Sequence, residues 1–390
     1  MKSVVRSLIT PGRRFGALAV AAAALSVSCA ALADPLATPA MTGPLSGNAT
    51  PLSVDAGPLG KVYVGGAATG LAMSQSNPVP GDENGTADLS NGQIFLQKTD
   101  GKVQFFIEAG AYALPSLGTQ YYGLTNASKA ADNFFGYVPV AYLKLAPTAE
   151  FSVQVGKLPT LIGAEYTFTF QNMNVERGLL WNQEPAVSKG VQLNYAKGPW
   201  AISLSLTDGF YSDKYNWLTG SLGYTFSPKD SLTFVGGGNY GTTVKWTAAT
   251  PLPQNNTEIY NLIWTHTQGP WIITPYLQYT VLPKHPEFGV TGTSSTFGGA
   301  VLAKYSFSPM FSLAGRAEYI SSTGEVPLLY GTSSKAYSLT LTPTVQVKTF
   351  FIRGELSYTK VIDGTDDFLF GGNWSKSDQI RGLVETGVLF

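Results

Sequence analysis

The sequence predicts an all-β chain: a closed, antiparallel, up-and-down transmembrane β-barrel of about sixteen strands, with short periplasmic turns and long extracellular loops. Three observations predict it. The chain starts with an export-signal pattern and ends on an aromatic residue, Phe390. Its segments alternate apolar and polar residues with a period of two, the period of a strand. Charged residues make up only 13% of the chain, against roughly a quarter in an ordinary soluble domain, while aromatics reach 12%. Few charges, many aromatics and no long apolar run argue against transmembrane helices and suit a barrel wall.

Residues 1–33 read as a secretory signal peptide. Lys2, Arg6, Arg13 and Arg14 form a basic start, and Phe15 to Val27 is an apolar run too short to span a bilayer. Ala31-Leu32-Ala33 has the small-x-small pattern of a cleavage site. Arg13-Arg14 is a weak twin-arginine pair, but a barrel crosses the inner membrane unfolded, which suits the general secretory route. Cys29 is the only cysteine, and Ser26 stands where a lipoprotein site usually has Leu. Cleavage after Ala33 leaves a mature chain with no cysteine, which excludes disulfides and thiolate metal sites. Of 25 basic residues four leave with the leader and no acidic one does, so 21 against 25 gives a mature net charge of −4. That argues against nucleic acid as a partner.

Residues 34–60 are rich in Pro, Ala, Gly and Thr. Pro35, Pro39, Pro44, Pro51 and Pro58 are expected to prevent ladder pairing and leave an irregular lead, either a disordered tail or a segment entering the lumen. The barrel itself is expected over residues 61–390. Tight turns are read at Thr99-Asp100-Gly101, Pro147-Thr148-Ala149-Glu150, Lys197-Gly198-Pro199, Ser227-Pro228-Lys229-Asp230, Gln268-Gly269-Pro270, Ser308-Pro309-Met310 and near Lys348-Thr349. Longer polar or Gly-rich stretches centre near residues 82, 125, 173, 212, 248, 287, 328 and 369. Seven turns and eight loops connect sixteen strands, an even number as in bacterial barrels.

Several strands alternate cleanly. Trp200, Ile202, Leu204 and Leu206 interleave with Ala201, Ser203, Ser205 and Thr207, and Phe151, Val153 and Val155 with Ser152, Gln154 and Gly156. The same holds for Tyr337, Leu339, Leu341, Val345 and Val347, where Pro343 on the apolar face is expected to disturb the ladder. A soluble sandwich alternates too; aromatic placement separates the two. Trp200 and Trp271 follow Gly-Pro turns, and Phe226 and Phe307 precede Ser-Pro turns. Such rings form a girdle at headgroup depth. In the last segment Ile380, Val384, Val388 and Phe390 share one parity. A terminal Phe on such a strand resembles the signal read by barrel-insertion machinery.

With the polar parity inside, Glu108, Lys144, Lys304, Arg316, Glu318, Arg353, Glu355, Arg381 and Glu385 become candidate pore-lining residues. Arg facing lipid at midplane costs about 2–4 kcal/mol. A barrel of this size encloses an aqueous channel, and mixed-sign rows across it create a transverse field or simply keep the wall wet. The segment 158–189 is too long for a turn and carries Glu165, Glu176, Arg177 and Glu184 among Tyr166, Phe168, Phe170 and Trp181. So many aromatics suit a folded segment; it is expected to enter the lumen as a constriction loop, with an extracellular aromatic cap or an extension of the flanking strands as the alternatives.

This stretch also carries a resemblance. Gly156-Lys157-Leu158-Pro159-Thr160-Leu161-Ile162-Gly163-Ala164-Glu165, then Asn174-Val175-Glu176-Arg177-Gly178, then Ser188-Lys189-Gly190-Val191 resemble the second putative β-barrel porin family, described as OmpL-like. The resemblance implies an outer-membrane barrel of a Gram-negative bacterium and a pore. It offers no functional residues to carry over.

The expected activity is passive diffusion of small hydrophilic solutes. A substrate-selective channel, for example for sugars stacking on the loop aromatics, and a structural or adhesive barrel are the alternatives. Catalysis is not expected: His266 closes a lipid-facing row near a turn, His285 sits between Pro283 and Pro286, and no Ser-His-acid spacing or metal pair appears. No cofactor or metal is expected. Expected partners are outer-membrane lipid, the insertion machinery and the solutes. Large porins often form homotrimers, but nothing in the sequence marks a subunit interface.

Overall fold

The computed structural model describes residues 44–125 and 128–390; the leader 1–33 and residues 34–43 of the lead lie outside the described residues. The strands are β1 (Leu52–Asp55), β2 (Lys61–Gln75), β3 (Gly85–Lys98), β4 (Val103–Tyr112), β5 (Val140–Leu145), β6 (Phe151–Pro159), β7 (Val187–Lys197), β8 (Trp200–Thr207) and β9 (Trp217–Ser227). They continue as β10 (Asp230–Asn239), β11 (Glu258–Gln268), β12 (Trp271–Leu282), β13 (Ser294–Ser306), β14 (Phe311–Thr323), β15 (Lys335–Val347), β16 (Phe350–Ile362) and β17 (Asp378–Leu389). From β2 to β17 each strand pairs antiparallel with the next, and β17 closes on β2 from Arg381↔Gln75 to Leu389↔Ala67. This ring of sixteen strands has no open edge, which lets every ladder group be satisfied without water.

The lead departs from expectation at one point. Leu52–Asp55 forms a ladder with β2, Leu52↔Val64 through Asp55↔Lys61. These four residues lie between Pro51 and Pro58, so each keeps the N–H that a proline lacks. Upstream, Leu45 donates its N–H to the Phe170 carbonyl (3.1 Å), and Ser46 exchanges two hydrogen bonds with Gln346. The segment around residue 45 thus enters one mouth of the barrel.

Six of the seven short connections fall at the Gly, Pro and Asp signals and the seventh at Lys348-Thr349, all at one end of the barrel, and the eight longer ones lie at the other end. At Pro343 the ladder to β16 is interrupted between Leu341↔Leu356 and Thr344↔Arg353. Pro275 interrupts β11–β12 in the same way, between Ile263↔Tyr276 and His266↔Ile273.

The wall has two faces. Trp200, Ile202, Leu204 and Leu206 are exposed on the outside, while Ser203, Ser205 and Thr207 are buried inside. Near the short turns, rings on the outer face touch edge to face: Trp200–Tyr224 at 4.5 Å, Tyr224–Phe226 at 4.9 Å, Trp271–Tyr305 at 4.6 Å and Tyr305–Phe307 at 4.7 Å. A second belt holds Tyr260, Tyr279, Phe297, Tyr319 and Tyr337. Trp271 and Tyr279 lie on one strand. At ~3.3 Å per residue and a strand tilt of ~40°, their separation spans roughly 20 Å of height, close to an outer-membrane apolar band. Phe390 ends on the outer face, bonded to Gly66 by its N–H (3.0 Å) and carbonyl (2.7 Å), with its ring where any Gly66 side chain would be.

Candidate functional site

Strand alternation places all nine predicted wall residues inward. Seven of them, Glu108, Arg316, Glu318, Arg353, Glu355, Arg381 and Glu385, are buried to 5% exposure or less. Lys144 and Lys304 remain half-exposed. The seven are covered because the segment between β6 and β7 lies across the lumen. Every residue from 160 to 188 is buried. The eight predicted loop residues Glu165, Tyr166, Phe168, Phe170, Glu176, Arg177, Trp181 and Glu184 are all within this buried stretch.

Paired charges hold the segment to β14–β17. Arg316 donates to Glu165 Oε1 (2.5 Å), to Glu318 Oε2 (3.1 Å) and to the Glu176 carbonyl (2.7 Å). Arg353 donates to Glu385 Oε2 (2.8 Å) and the Asn172 carbonyl (3.0 Å). Arg381 donates to Glu176 Oε1 (2.8 Å) and to the carbonyls of Ser116 (2.7 Å) and Thr119 (2.6 Å), joining the loop after β4 to the same clamp. Two wall carboxylates cap loop backbone. Glu355 accepts the N–H groups of Val175 (2.6 Å) and Glu176 (2.8 Å), and Glu318 accepts that of Leu179 (3.0 Å). A loop in a dry lumen cannot use water for its backbone groups, so the wall supplies the partners. Gly178 allows this approach, since a side-chain carbon there would collide with the Glu318 carboxylate.

Apolar contacts fill the rest. Phe170 packs on Phe95 (5.6 Å between centroids), Phe168 on Tyr112 (5.0 Å), and Leu45 joins the same cluster from the lead. On the other flank Leu161 and Ile162 pack with Phe210, Trp217, Val235 and Ile259. The loop aromatics therefore spend their faces on the barrel interior, and do not offer the free stacking platforms considered for a sugar channel. The Arg177 guanidinium sits 5.4 Å from the Trp181 ring, and burial lowers its pKa to about 10.

Below this plug two polar chambers remain open. One, of about 510 Å³, lies against β4–β10 and is lined by Gln104, Lys144, Gln154, Gln192, Asn194 and Ser203 among others. The other, about 370 Å³, lies by β13–β15 with Lys304, Thr344, Gln346 and Ser46. Sequence reasoning named the two lysines but not the carboxamides, which carry no charge signal. It also missed the loop after β4, whose contribution is backbone carbonyls that any residue could supply.

Residues 61–390 match the family described as Putative beta-barrel porin-2, OmpL-like. The chain belongs to this family. Its barrel is similar to Salmonella typhi OmpF in complex with daunomycin (13% identity, 87% of this chain and 100% of that one, TM-score 0.58). It is similar to the anion-selective porin from Comamonas acidovorans (14%, 84% and 99%, TM-score 0.56). It is also similar to the trimer form of OmpT, an outer membrane protein of Vibrio cholerae (13%, 84% and 99%, TM-score 0.55). At such identities the likeness concerns the fold. No curated protein matches the chain significantly. The protein is thus a porin-family transmembrane barrel of the outer membrane.

The sealed cluster is charge-imbalanced. Glu165, Glu176, Glu184, Glu318, Glu355 and Glu385 face Arg177, Arg316, Arg353 and Arg381, all buried. Two carboxylates are in excess, and a dry interior keeps such groups protonated. Glu184 is the first candidate. Neither of its oxygens has a hydrogen bond of good geometry, and the Tyr276 hydroxyl beside it offers only a weak one. Burial, then the negative charges of Glu165 and Glu318, hold its pKa well above the usual carboxylate range. Burial also raises that of Glu165, opposed by Arg316. For a raised carboxyl the sign is fixed. Glu184 favours the seated loop fully below its free value of about 4.3, and this favour is lost as pH rises through the raised value. Glu184→Gln is expected to weaken the alkaline release of the loop, measured as protease nicking within residues 160–188 across a pH series.

Among the described residues no group of three or more His, Cys, Asp or Glu side chains is placed to hold a metal. His266 Nδ1 lies 2.7 Å from Asp230 at a short turn, and His285 Nδ1 lies 3.1 Å from Glu287 in a loop.

Proposed function

We propose that this barrel is an outer-membrane diffusion channel for small hydrophilic solutes, and that conduction requires the 160–188 segment to leave its seat. The observation that carries this reading is a closed wall with an apolar outer face and a hydroxyl-, amide- and charge-bearing inner face. Such a wall has no reason to be polar inside unless water enters it at some stage. The displaced segment follows from its burial on every side, which leaves no room for a solute beside it.

In the same proposal the short turns face the periplasm and the long loops the exterior. The leader 1–33 directs general secretory export and is removed, and β17 with Phe390 addresses the chain to the insertion machinery. Lipid surrounds the aromatic belts. A homotrimer is the proposed assembly, supported by the likeness to a barrel with a trimer form. No catalytic role is assigned, since neither histidine adjoins a nucleophile. Planar-bilayer recordings of the purified protein test the function. Infrequent, stepwise openings are expected; a permanently silent protein would favour the structural or adhesive reading.

A further inference from the structure

Resting on the channel reading, we infer that the solutes admitted are small hydrophilic anions, selected by Lys144 in the chamber beneath the plug. The chamber is bounded by β4–β10 and measures about 510 Å³. Apart from two charged side chains, its polar wall is made of neutral donors and acceptors. Gln154, Gln192, Asn194 and Ser203 form one connected row: Gln192 Nε2 bonds to Asn194 Oδ1 (2.7 Å) and Gln154 Oε1 (3.2 Å), and Ser203 Oγ to Asn194 Oδ1 (2.8 Å). Strand register sets Lys144 opposite Gln104 on one side and Gln154 on the other.

Two charged side chains line this chamber, Lys144 and Glu150. Glu150 sits at the turn and faces Lys197 Nζ at 3.2 Å, so its charge is compensated at the mouth. Lys144 makes no ion pair or hydrogen bond among the described residues. The second chamber is lined by Lys304 and, among the described residues, by no carboxylate. The wall carboxylates that the plug covers, Glu318, Glu355 and Glu385, are uncovered together with Arg316, Arg353 and Arg381 when it leaves, three against three, and Glu108 is bonded to Gln93. The uncompensated fixed charge a solute meets in the Lys144 chamber is therefore positive. A cation in a confined, low-dielectric passage raises the local concentration of anions and lowers that of cations. The amide and hydroxyl row replaces part of the anion's hydration shell without adding charge of its own.

The mature chain has no cysteine, so one introduced thiol reports on this site alone. Lys144→Cys would be incorporated in planar bilayers and the zero-current potential measured under a KCl gradient. One preparation would be left unmodified, one labelled with a cationic and one with an anionic methanethiosulfonate. Wild type is expected to prefer chloride over potassium. The unmodified thiol should reduce that preference roughly two- to threefold, the cationic label should restore it, and the anionic label should reverse it. Because one folded protein carries all three charge states, misfolding cannot mimic the pattern. A wild-type channel that prefers potassium, or a preference unmoved by all three states, overturns the inference while leaving the channel reading intact. Absence of any conductance in wild type overturns both.

Discussion

Arg316→Ala should be the most damaging single substitution in the clamp. The guanidinium serves Glu165, Glu318 and the Glu176 carbonyl at once, at 2.5, 3.1 and 2.7 Å, with no water in reach. Removing it leaves two buried carboxylates facing each other unpaired. Breaking a buried pair from one side costs about 3–5 kcal/mol, because the remaining charge keeps its desolvation penalty. The barrel itself has a closed ladder and is not expected to unfold. The loop is the cheaper part to release. The expected result is an intact barrel, still heat-modifiable on a gel, whose 160–188 segment is cut by protease where wild type resists. Arg316→Lys should behave similarly, since an ammonium cannot reproduce the fork that spans Glu165 and Glu318.

The second large effect is the opposite in character. Replacing residues 161–186 with a short Gly-Ser connection removes every partner the loop supplies, yet the barrel should tolerate it. Arg316–Glu318 and Arg353–Glu385 remain paired within the wall. Water entering the emptied lumen hydrates Arg381 and Glu355, so no buried charge is left stranded. Deleting the whole loop is therefore expected to disturb folding less than deleting one guanidinium. In planar bilayers the infrequent openings of the intact protein should become large, long-lived ohmic steps. Unchanged step size and open time would show that the segment does not control the passage.

The barrel was legible because strand and turn grammar is local. Gly198-Pro199, Gly269-Pro270 and Ser308-Pro309 announce turns without reference to anything distant, and the parity of Trp200 to Leu206 announces which side meets lipid. The inward placement of Arg316, Arg353 and Arg381 followed from the same parity. What they do there was not legible. A period of two places a side chain on a face but does not say whether water or another segment covers it. The seal depends on contacts such as Arg381 with the Ser116 carbonyl, 265 residues apart in sequence. Ladder pairing at Leu52–Asp55 escaped because the prolines around it dominated the reading. The charge imbalance at Glu184 was likewise invisible until its neighbours were known.

Residues 160–188 sit sealed inside the barrel, their backbone capped by wall carboxylates. Hydrogen exchange on the protein in lipid at neutral pH reads that seal amide by amide. The amides of Val175, Glu176 and Leu179, bonded to Glu355 and Glu318, are predicted to exchange as slowly as strand amides of β14 and β16. Exchange as fast as in the exposed loop 363–368 would contradict the seal, and with it the view that this loop closes the channel.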